Sequence, residues 1–194
     1  MRWGFAVGVL ATVLSGLLAG CRVLDRAAPP PASLAEWPVA DEERLPWAAE
    51  EPFFVVVRKS CRTLDVYRHG ERIRSYPAVF GYGGPYDKLY EGDRRTPNGL
   101  YAIIEKRRHP RWRWFFLLDY PNGTDWARYW AGVAKGEVPP GVGIGGSVGI
   151  HGTDRPESNR RGIDWTWGCV SVDNASIEDL AALLPLGTLV LIQD

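Results

Sequence analysis

Residues 148–171 read VGIHGTDRPESNRRGIDWTWGCVS, and the fold and function of the chain are interpreted outward from this stretch. It places His151 at the end of an apolar run with strand character and Cys169 in a glycine-bounded turn 18 residues later. A thiol is nucleophilic as the thiolate, and a nearby imidazole is the usual means of generating one near neutral pH. The order His before Cys excludes papain-like cysteine peptidases, in which the Cys comes first.

Short apolar runs rich in β-branched and aromatic residues surround this stretch and predict a mainly β domain over residues 53–194. Strands and helices do not alternate regularly, which favours a β-sandwich or barrel-like sheet with two short helices over a βαβ architecture. The runs that predict strands are Phe53–Val57, Thr63–Tyr67, Arg72–Phe80, Leu100–Glu105, Trp114–Leu118, Val148–Ile150 and Thr188–Ile192.

Two helices are predicted from capping residues and helical spacing. Thr124 and Gly136 are residue types that begin and end the first helix, and Asn174 and Pro185 bound the second. We interpret the apolar face of the first helix as a packing surface rather than a sugar-binding platform. Its members recur at i, i+3, i+4 and i+7 and are Trp126, Tyr129, Trp130 and Val133.

The N-terminal segment predicts export and lipid attachment. An uncharged run over residues 3–20 ends in Leu18-Ala19-Gly20-Cys21, which is similar to a bacterial lipoprotein signal. Removal of residues 1–20 would leave Cys21 as an acylated N-terminus, while a transmembrane anchor is the alternative. By resemblance to other lipoproteins, Arg22 in place of Asp implies the periplasmic face of the outer membrane. The Pro/Ala-rich residues 21–52 predict a tether between this membrane anchor and the domain.

Charge and cysteine content narrow the range of functions. The chain carries 23 basic and 23 acidic residues, so nucleic acid is not the expected partner. The densest basic patch, Arg107–Arg113, is interleaved with tryptophans and predicts a substrate rim or a solvated edge. Three histidines far apart in the sequence predict no metal site. Cys61 has no predicted role, and a Cys61–Cys169 disulfide is disfavoured because it would remove the nucleophile.

An acyl-transfer reaction needs a nucleophile, a base and oxyanion donors, and the residues around the His–Cys pair can supply each of them. Cys169 is the candidate nucleophile and His151 the candidate base. The carbonyl of Gly152 can orient the imidazole by accepting its second N–H, so no carboxylate is required. The backbone N–H groups of Trp167, Gly168 and Cys169 are candidate oxyanion donors. The alternative is a structural Cys beside a structural His. Polar residues crowded into the same segment disfavour it: Asp154, Asp164 and Thr166.

These residues resemble the signature of the YkuD-like L,D-transpeptidase catalytic domain, which has an upstream His followed by Ser/Thr-His-Gly-Cys. His151, Thr166, Gly168 and Cys169 match this signature. Lys59–Tyr67 is similar to the first hairpin of the family, and Glu91–Tyr101 to its Gly-Asp-x-x-Thr-Pro segment. The resemblance covers about residues 53–194 and implies the L,D-transpeptidase fold, without a metal or another cofactor.

The resemblance also implies a reaction on peptidoglycan stem peptides. Cys169 would attack the carbonyl between the third residue and the terminal D-alanine of a stem tetrapeptide, and D-alanine would leave with a proton from His151. The thioester would then pass to an amine of another stem or of a peptidoglycan-linked lipoprotein. Thr166, Trp167, Gly168 and Ser171 are the candidate oxyanion or substrate contacts. Trp167 stands where the family commonly has His, and Ser171 where it often has Arg or Asn.

Three alternatives remain open from the sequence. Water instead of an amine would make the domain a hydrolase that trims stems or releases linked peptides, and Asp164–Trp167 is similar to a subgroup that includes such enzymes. A sortase-like transpeptidase is disfavoured because no arginine follows Arg161. A non-catalytic envelope-binding module would leave Cys169 inert.

Overall fold

The apolar runs of the sequence form the strands of one curled sheet. The computed structural model describes residues 48–194, and this range contains eight strands in the order β3-β2-β1-β8-β4-β5-β6-β7. In chain order they are β1 (Phe54–Arg58), β2 (Thr63–Arg68), β3 (Glu71–Pro77), β4 (Gly99–His109), β5 (Arg113–Leu118), β6 (Gly149–His151), β7 (Val170–Ser171) and β8 (Leu189–Gln193).

Helices complete the described part of the chain: α1 (Gly123–Lys135), α2 (Pro156–Arg160) and α3 (Asn174–Leu183). The prediction of a mainly β, barrel-like fold is confirmed, and α2 is a third helix beyond the two predicted ones. Its five residues are too few to show a helical period. The predicted signal segment, Cys21 and all but the last few residues of the predicted tether lie outside the described residues. Within residues 48–194, no helix has the length and apolarity needed to cross a bilayer.

The two edges of the sheet are joined by the chain that follows β3. Val79 forms an antiparallel bridge with Ser171 of β7, through N–H···O bonds of 2.9 and 2.8 Å. Gly81 then bridges Thr166, and the N–H of Tyr82 donates to the Thr166 carbonyl at 3.1 Å. The sheet therefore curls towards a barrel, and residues 79–82 lie beside the turn that carries Cys169.

The core lies inside this curl and is covered by α3. All five residues of β1 are buried, because this central strand packs against apolar side chains on both of its faces. Ile177 and Leu180 of α3 are fully buried in the main core. A hydrogen bond of 2.8 Å from Trp114 Nε1 to Glu178 joins β5 to α3.

The exposed face of α1 differs from the prediction. Asn122, not Thr124, caps the helix, and Gly136 ends it with φ 73°, as its residue type predicted. Trp126 and Trp130 are 41% and 59% exposed, so the interpretation of the whole apolar face as a packing surface was wrong. The side of α1 that packs on the domain instead carries Asp125, Tyr129 and Gly132, with Gly132 close against Leu89.

The start of α3 is tied to the segment that follows β6. Asp173 caps the helix by accepting the Ser176 N–H at 2.7 Å, so Asn174 is its first residue rather than its cap. The Asn174 amide is used elsewhere: its Oδ1 accepts the Thr153 N–H at 2.9 Å and its Nδ2 donates to the Thr153 carbonyl at 3.0 Å. This pair of bonds fixes the chain immediately after His151 and Gly152.

Candidate active site

His151 and Cys169 are brought together by two short parallel strands. In the β6–β7 register Ile150 lies opposite Val170, and His151 lies opposite Ser171. Cys169 immediately precedes β7, so it lies beside Gly149. Because alternate residues of a strand face the same side, the side chains of His151 and Cys169 project from the same face of the sheet. Both side chains line one pocket of about 390 Å³.

The imidazole of His151 is held in a single tautomer. Its side chain is almost entirely buried, and Nδ1 lies 2.6 Å from the carbonyl oxygen of Gly152. A carbonyl oxygen can only accept, so Nδ1 carries the proton and Nε2 keeps its lone pair. This contact is the one expected from the sequence for Gly152. Gly152 must itself be glycine, since an added Cβ would lie 2.4 Å from the Trp112 carbonyl oxygen and 2.5 Å from Asn174 Oδ1.

Aromatic rings enclose the imidazole. Trp112 stacks on it with centroids 4.2 Å apart and planes inclined by 18°, and Trp165 meets it at 5.7 Å and 63°. Burial among these apolar rings disfavours the charged form and lowers the pKa of His151 from 6.5 to about 4, although the bond to Gly152 acts in the opposite direction. His151 is therefore a neutral imidazole at neutral pH.

The Cys169 thiol is also neutral in this conformation, which differs from the thiolate expected from the sequence. Part of Cys169 remains accessible to solvent, but desolvation of its sulfur raises the pKa of the thiol to about 11. A hydrogen bond from the Gly149 backbone favours the thiolate less strongly. Sγ donates to the carbonyl oxygen of Ser147 at 3.7 Å, and among residues 48–194 it has no hydrogen bond to His151. The resting pair is thus thiol and imidazole rather than an ion pair.

Ser171 lies behind the imidazole and not in a substrate pocket. It is fully buried, and its hydroxyl donates to the Gly152 carbonyl at 3.2 Å while accepting from Asn159 Nδ2 at 3.2 Å. Asn159 in turn accepts the Trp165 indole N–H at 2.9 Å. This polar chain fixes the carbonyl that orients His151 and one of the rings that enclose it. The structure therefore gives Ser171 a different position from the substrate contact predicted for it.

The turn before Cys169 is closed by Thr166. Its hydroxyl donates to the Cys169 carbonyl at 2.6 Å and accepts the Gly168 N–H at 3.2 Å. Gly168 has φ 135°, and an added Cβ there would lie 2.8 Å from the Arg95 carbonyl oxygen, so the turn requires glycine. The predicted oxyanion donors therefore separate into two groups. The Gly168 N–H is already occupied, whereas within the described chain the N–H groups of Trp167 and Cys169 have no acceptor.

Two pockets meet at Cys169. The larger one, of about 390 Å³, also contains His151 and is walled by the rings of Trp112 and Trp165. The smaller one, of about 160 Å³, is lined by Lys88, Glu91 and Arg94 and by glycines of the segment before β6. Trp167 lines both pockets and is 77% exposed, so it forms the wall between them. No group of three His, Cys, Asp or Glu side chains in the described range is placed to hold a metal ion.

Comparison with known proteins places this chain in a family. The model of the YkuD family, described as the L,D-transpeptidase catalytic domain, matches residues 51–192. The chain belongs to the YkuD family. YqjB, a putative L,D-transpeptidase of Bacillus subtilis, is 30% identical to this chain over 162 residues. The match covers 81% of this chain and 78% of YqjB. The putative L,D-transpeptidase YkuD of Bacillus licheniformis is 26% identical over 137 residues, covering 71% of this chain and 63% of that protein.

Solved structures show the same fold. Bd1075 of Bdellovibrio bacteriovorus is 27% identical with a TM-score of 0.51, and the match covers 74% of this chain and 48% of that one. Pgp2 of Campylobacter jejuni, a helical cell shape determining protein, is 24% identical with a TM-score of 0.54 and covers 73% of this chain and 47% of that one. The YkuD domain protein therefore spans about half the length of these two solved chains.

The sequence indicated some residues of the site as a rim and gave no indication of others. Trp112 and Arg111 lie in the larger pocket, so the tryptophan-rich basic patch does contribute a rim there. The carbonyl oxygen of Ser147 accepts the hydrogen bond from the Cys169 thiol, and Ser147 has φ 56°. Its glycine-rich surroundings were the sequence feature that could have indicated this residue. No sequence pattern indicated Asn159, because its side chain contributes to the site through hydrogen bonds to Ser171 and Trp165, which lie in other segments of the chain.

Proposed function

We propose that this domain is a peptidoglycan L,D-transpeptidase that works through a Cys169 thioester. The observation that supports this most directly is the meeting of two pockets at one thiol, with His151, a fixed and neutral imidazole, lining the larger pocket. The substrate class is a stem tetrapeptide ending in D-alanine, as the family membership suggests.

The first half of the reaction forms the thioester. As Cys169 Sγ bonds to the carbonyl carbon before D-alanine, its proton moves to His151 Nε2 and the carbonyl oxygen becomes an oxyanion. Collapse of this intermediate breaks the amide bond, and the D-alanine nitrogen takes the proton from the imidazolium. The raised pKa of Cys169 and the lowered pKa of His151 support proton transfer during the attack rather than before it.

The second half transfers the acyl group to an amine. The acceptor amine attacks the thioester carbonyl, gives its proton through His151 to the departing sulfur, and leaves Cys169 as a thiol again. The unoccupied N–H groups of Trp167 and Cys169 are the donors that we assign to the oxyanion in both halves. A second pocket on the far side of Trp167 supports an acceptor with its own binding site, which favours an amine over water.

Intact-mass measurement and muropeptide analysis test this function. The full chain incubated with a stem tetrapeptide should gain the mass of the tripeptide acyl group, and Cys169→Ala should gain nothing. Incubation with sacculi should then build cross-links between third residues. Release of tripeptide without such cross-links would assign the domain to the hydrolases, and failure of the wild-type chain to form any adduct would refute the proposal.

We further propose that acylation of Cys21 holds the domain at the periplasmic face of the outer membrane, with residues 22–52 as a tether. The Leu18-Ala19-Gly20-Cys21 pattern supports this. Metabolic labelling with a fatty acid should mark the wild-type chain and not Cys21→Ala, and outer-membrane fractions should retain only the labelled protein. Recovery of both chains in the inner membrane would instead support the transmembrane alternative.

A further inference from the structure

Arg94 is an exposed cation at the smaller pocket beside Cys169. Two other arginines near the site have carboxylate partners: Arg62 pairs with Asp164 and Arg111 with Asp154. Arg94 has no such ion pair within residues 48–194, although its guanidinium lines the same pocket as the thiol. The other cation of that pocket, Lys88, is buried and already paired with Asp93 at 2.8 Å. Arg94 is therefore the cation available to an incoming anion at this pocket.

Two aromatic rings hold the Arg94 guanidinium without neutralising it. Its central carbon lies 4.9 Å from the ring centroid of Tyr82 and 5.8 Å from that of Trp167. Aromatic faces attract a guanidinium but leave its N–H donors at the edge of the plane free for a planar acceptor. We call Tyr82, Arg94 and Trp167 the arginine clamp. The bridge between Gly81 and Thr166 brings the two rings of the clamp together across the closed edge of the sheet.

The backbone of Arg94 is fixed as well as its side chain. Its φ of 60° is uncommon for a residue with a side chain, and its carbonyl accepts the Gly83 N–H at 2.8 Å. Gly81 leaves the room for this carbonyl, since an added Cβ would lie 2.2 Å from the oxygen. The buried Asp93 carboxylate accepts the N–H groups of Leu89 and Arg95 at 2.6 and 3.0 Å, which holds the loop on both sides of Arg94. A loop fixed in this way presents the guanidinium at a defined place.

The clamp occurs together with both departures from the family signature. Trp167, in place of the common His, supplies one ring of the clamp. Ser171, in place of the common Arg or Asn, is fully buried behind His151 and offers no charge to a substrate. We propose that Arg94, held by Tyr82 and Trp167, binds a carboxylate of the peptide substrate and positions that peptide against Cys169. This inference rests on the proposed function, because a stem tetrapeptide is what brings the carboxylate to the pocket.

The test compares three synthetic tetrapeptides that differ by one carboxylate. The first has a free terminal D-alanine and a carboxylate on its third side chain, the second is amidated at the terminus, and the third is amidated on that side chain. The rate of thioester formation by the full chain gives kcat/KM for each. Arg94→Gln should lower kcat/KM for the first peptide by about 10- to 100-fold, mainly through KM, since a charged hydrogen bond is lost. The loss should vanish with one amidated peptide, which identifies the carboxylate bound.

Matched variants separate the clamp from general damage to the site. Trp167→Ala should lower kcat/KM for the first peptide, and adding Arg94→Gln should lower it little further, because both changes remove one interaction. Arg161→Gln, an exposed arginine outside both pockets, should leave all three values unchanged. If Arg94→Gln lowered kcat/KM equally for all three peptides, or did not lower it for the first, this inference would be overturned while the proposed function would stand. A wild-type chain that forms no thioester with any peptide would overturn the proposed function itself.

Discussion

The burial of His151 makes the stability of the domain depend on pH in a specific range. In the folded chain the pKa of His151 is lowered by desolvation from 6.5 to about 4. Between pH 6.5 and about 4 the imidazole of His151 therefore binds a proton in the unfolded chain but not in the folded chain. A fall in pH across this range favours the unfolded state. The stability due to the neutral imidazole is fully present above pH 6.5 and is lost as the pH falls towards 4.

The size of the effect follows from the two pKa values. Between pH 7 and pH 4, proton uptake by the unfolded chain should lower the free energy of unfolding by about 3 kcal/mol, at about 1.4 kcal/mol for each pH unit crossed. His151→Gln removes the titrating group but keeps a polar side chain at the position. The difference in unfolding free energy between wild type and this variant should therefore shrink by about the same amount over this range.

Urea unfolding followed by circular dichroism at pH 7, 6, 5 and 4 measures this difference, and other titrating groups cancel in the comparison. His69→Asn, in the exposed turn after β2 where φ is 48°, reports the effect of removing an imidazole from the surface. A wild-type-minus-His151→Gln difference that stays constant from pH 7 to pH 4 would refute the buried, neutral imidazole. The catalytic proposal would then need an imidazole that is charged at rest.

Three further predictions concern the same site. Ser171→Ala should lower the free energy of unfolding by about 1–3 kcal/mol and slow thioester formation, because the Gly152 carbonyl and Asn159 each lose a buried partner; unchanged urea unfolding would contradict this. Gly152→Ala should lower the melting temperature strongly, since overpacking against the Trp112 carbonyl costs at least about 1–3 kcal/mol, and differential scanning calorimetry would show it. At pH 7 iodoacetamide should modify the exposed Cys61 before Cys169, and the Cys169 rate should rise towards pH 11; faster labelling of Cys169 would contradict a neutral thiol.

Local signals predicted seven of the eight strands of the described chain and the carbonyl that orients His151, but not β7, whose two residues are too few to show alternation. The apolar runs were long enough to show strand character, and Gly152 is adjacent in sequence to the residue that it orients. The same local signals could not distinguish the two sides of α1, because Trp126, Tyr129 and Trp130 recur at helical spacing whether the face packs or is exposed. The contact of Gly132 with Leu89 and the hydrogen bond of 2.8 Å from the Tyr129 hydroxyl to the Val142 carbonyl show which side faces the domain.

The electrostatic state of the site depends on contacts between distant segments. The pKa of His151 is lowered because Trp112, from the β4–β5 hairpin, covers it, and no motif around His151 indicates that ring. Ser171 stands at a position where the family often has Arg or Asn, yet its contacts are set by Asn159 in a helix too short to predict. Side-chain bonds between separate elements leave no period in the sequence, so they become visible only in three dimensions.

The position of β8 has a consequence for the order of folding. This strand, Leu189–Gln193, is synthesised after all the others but lies in the middle of the sheet, parallel to β1 and antiparallel to β4. In the described chain β8 is the strand that lies between the β1–β3 meander and the β4–β7 half, and without it the two halves would be joined through the isolated bridges of Val79 and Gly81 to Ser171 and Thr166. A ribosome-bound chain that stops before Leu189 should therefore remain sensitive to protease, and a chain long enough to free Leu189–Gln193 from the ribosome should fold its sheet cooperatively.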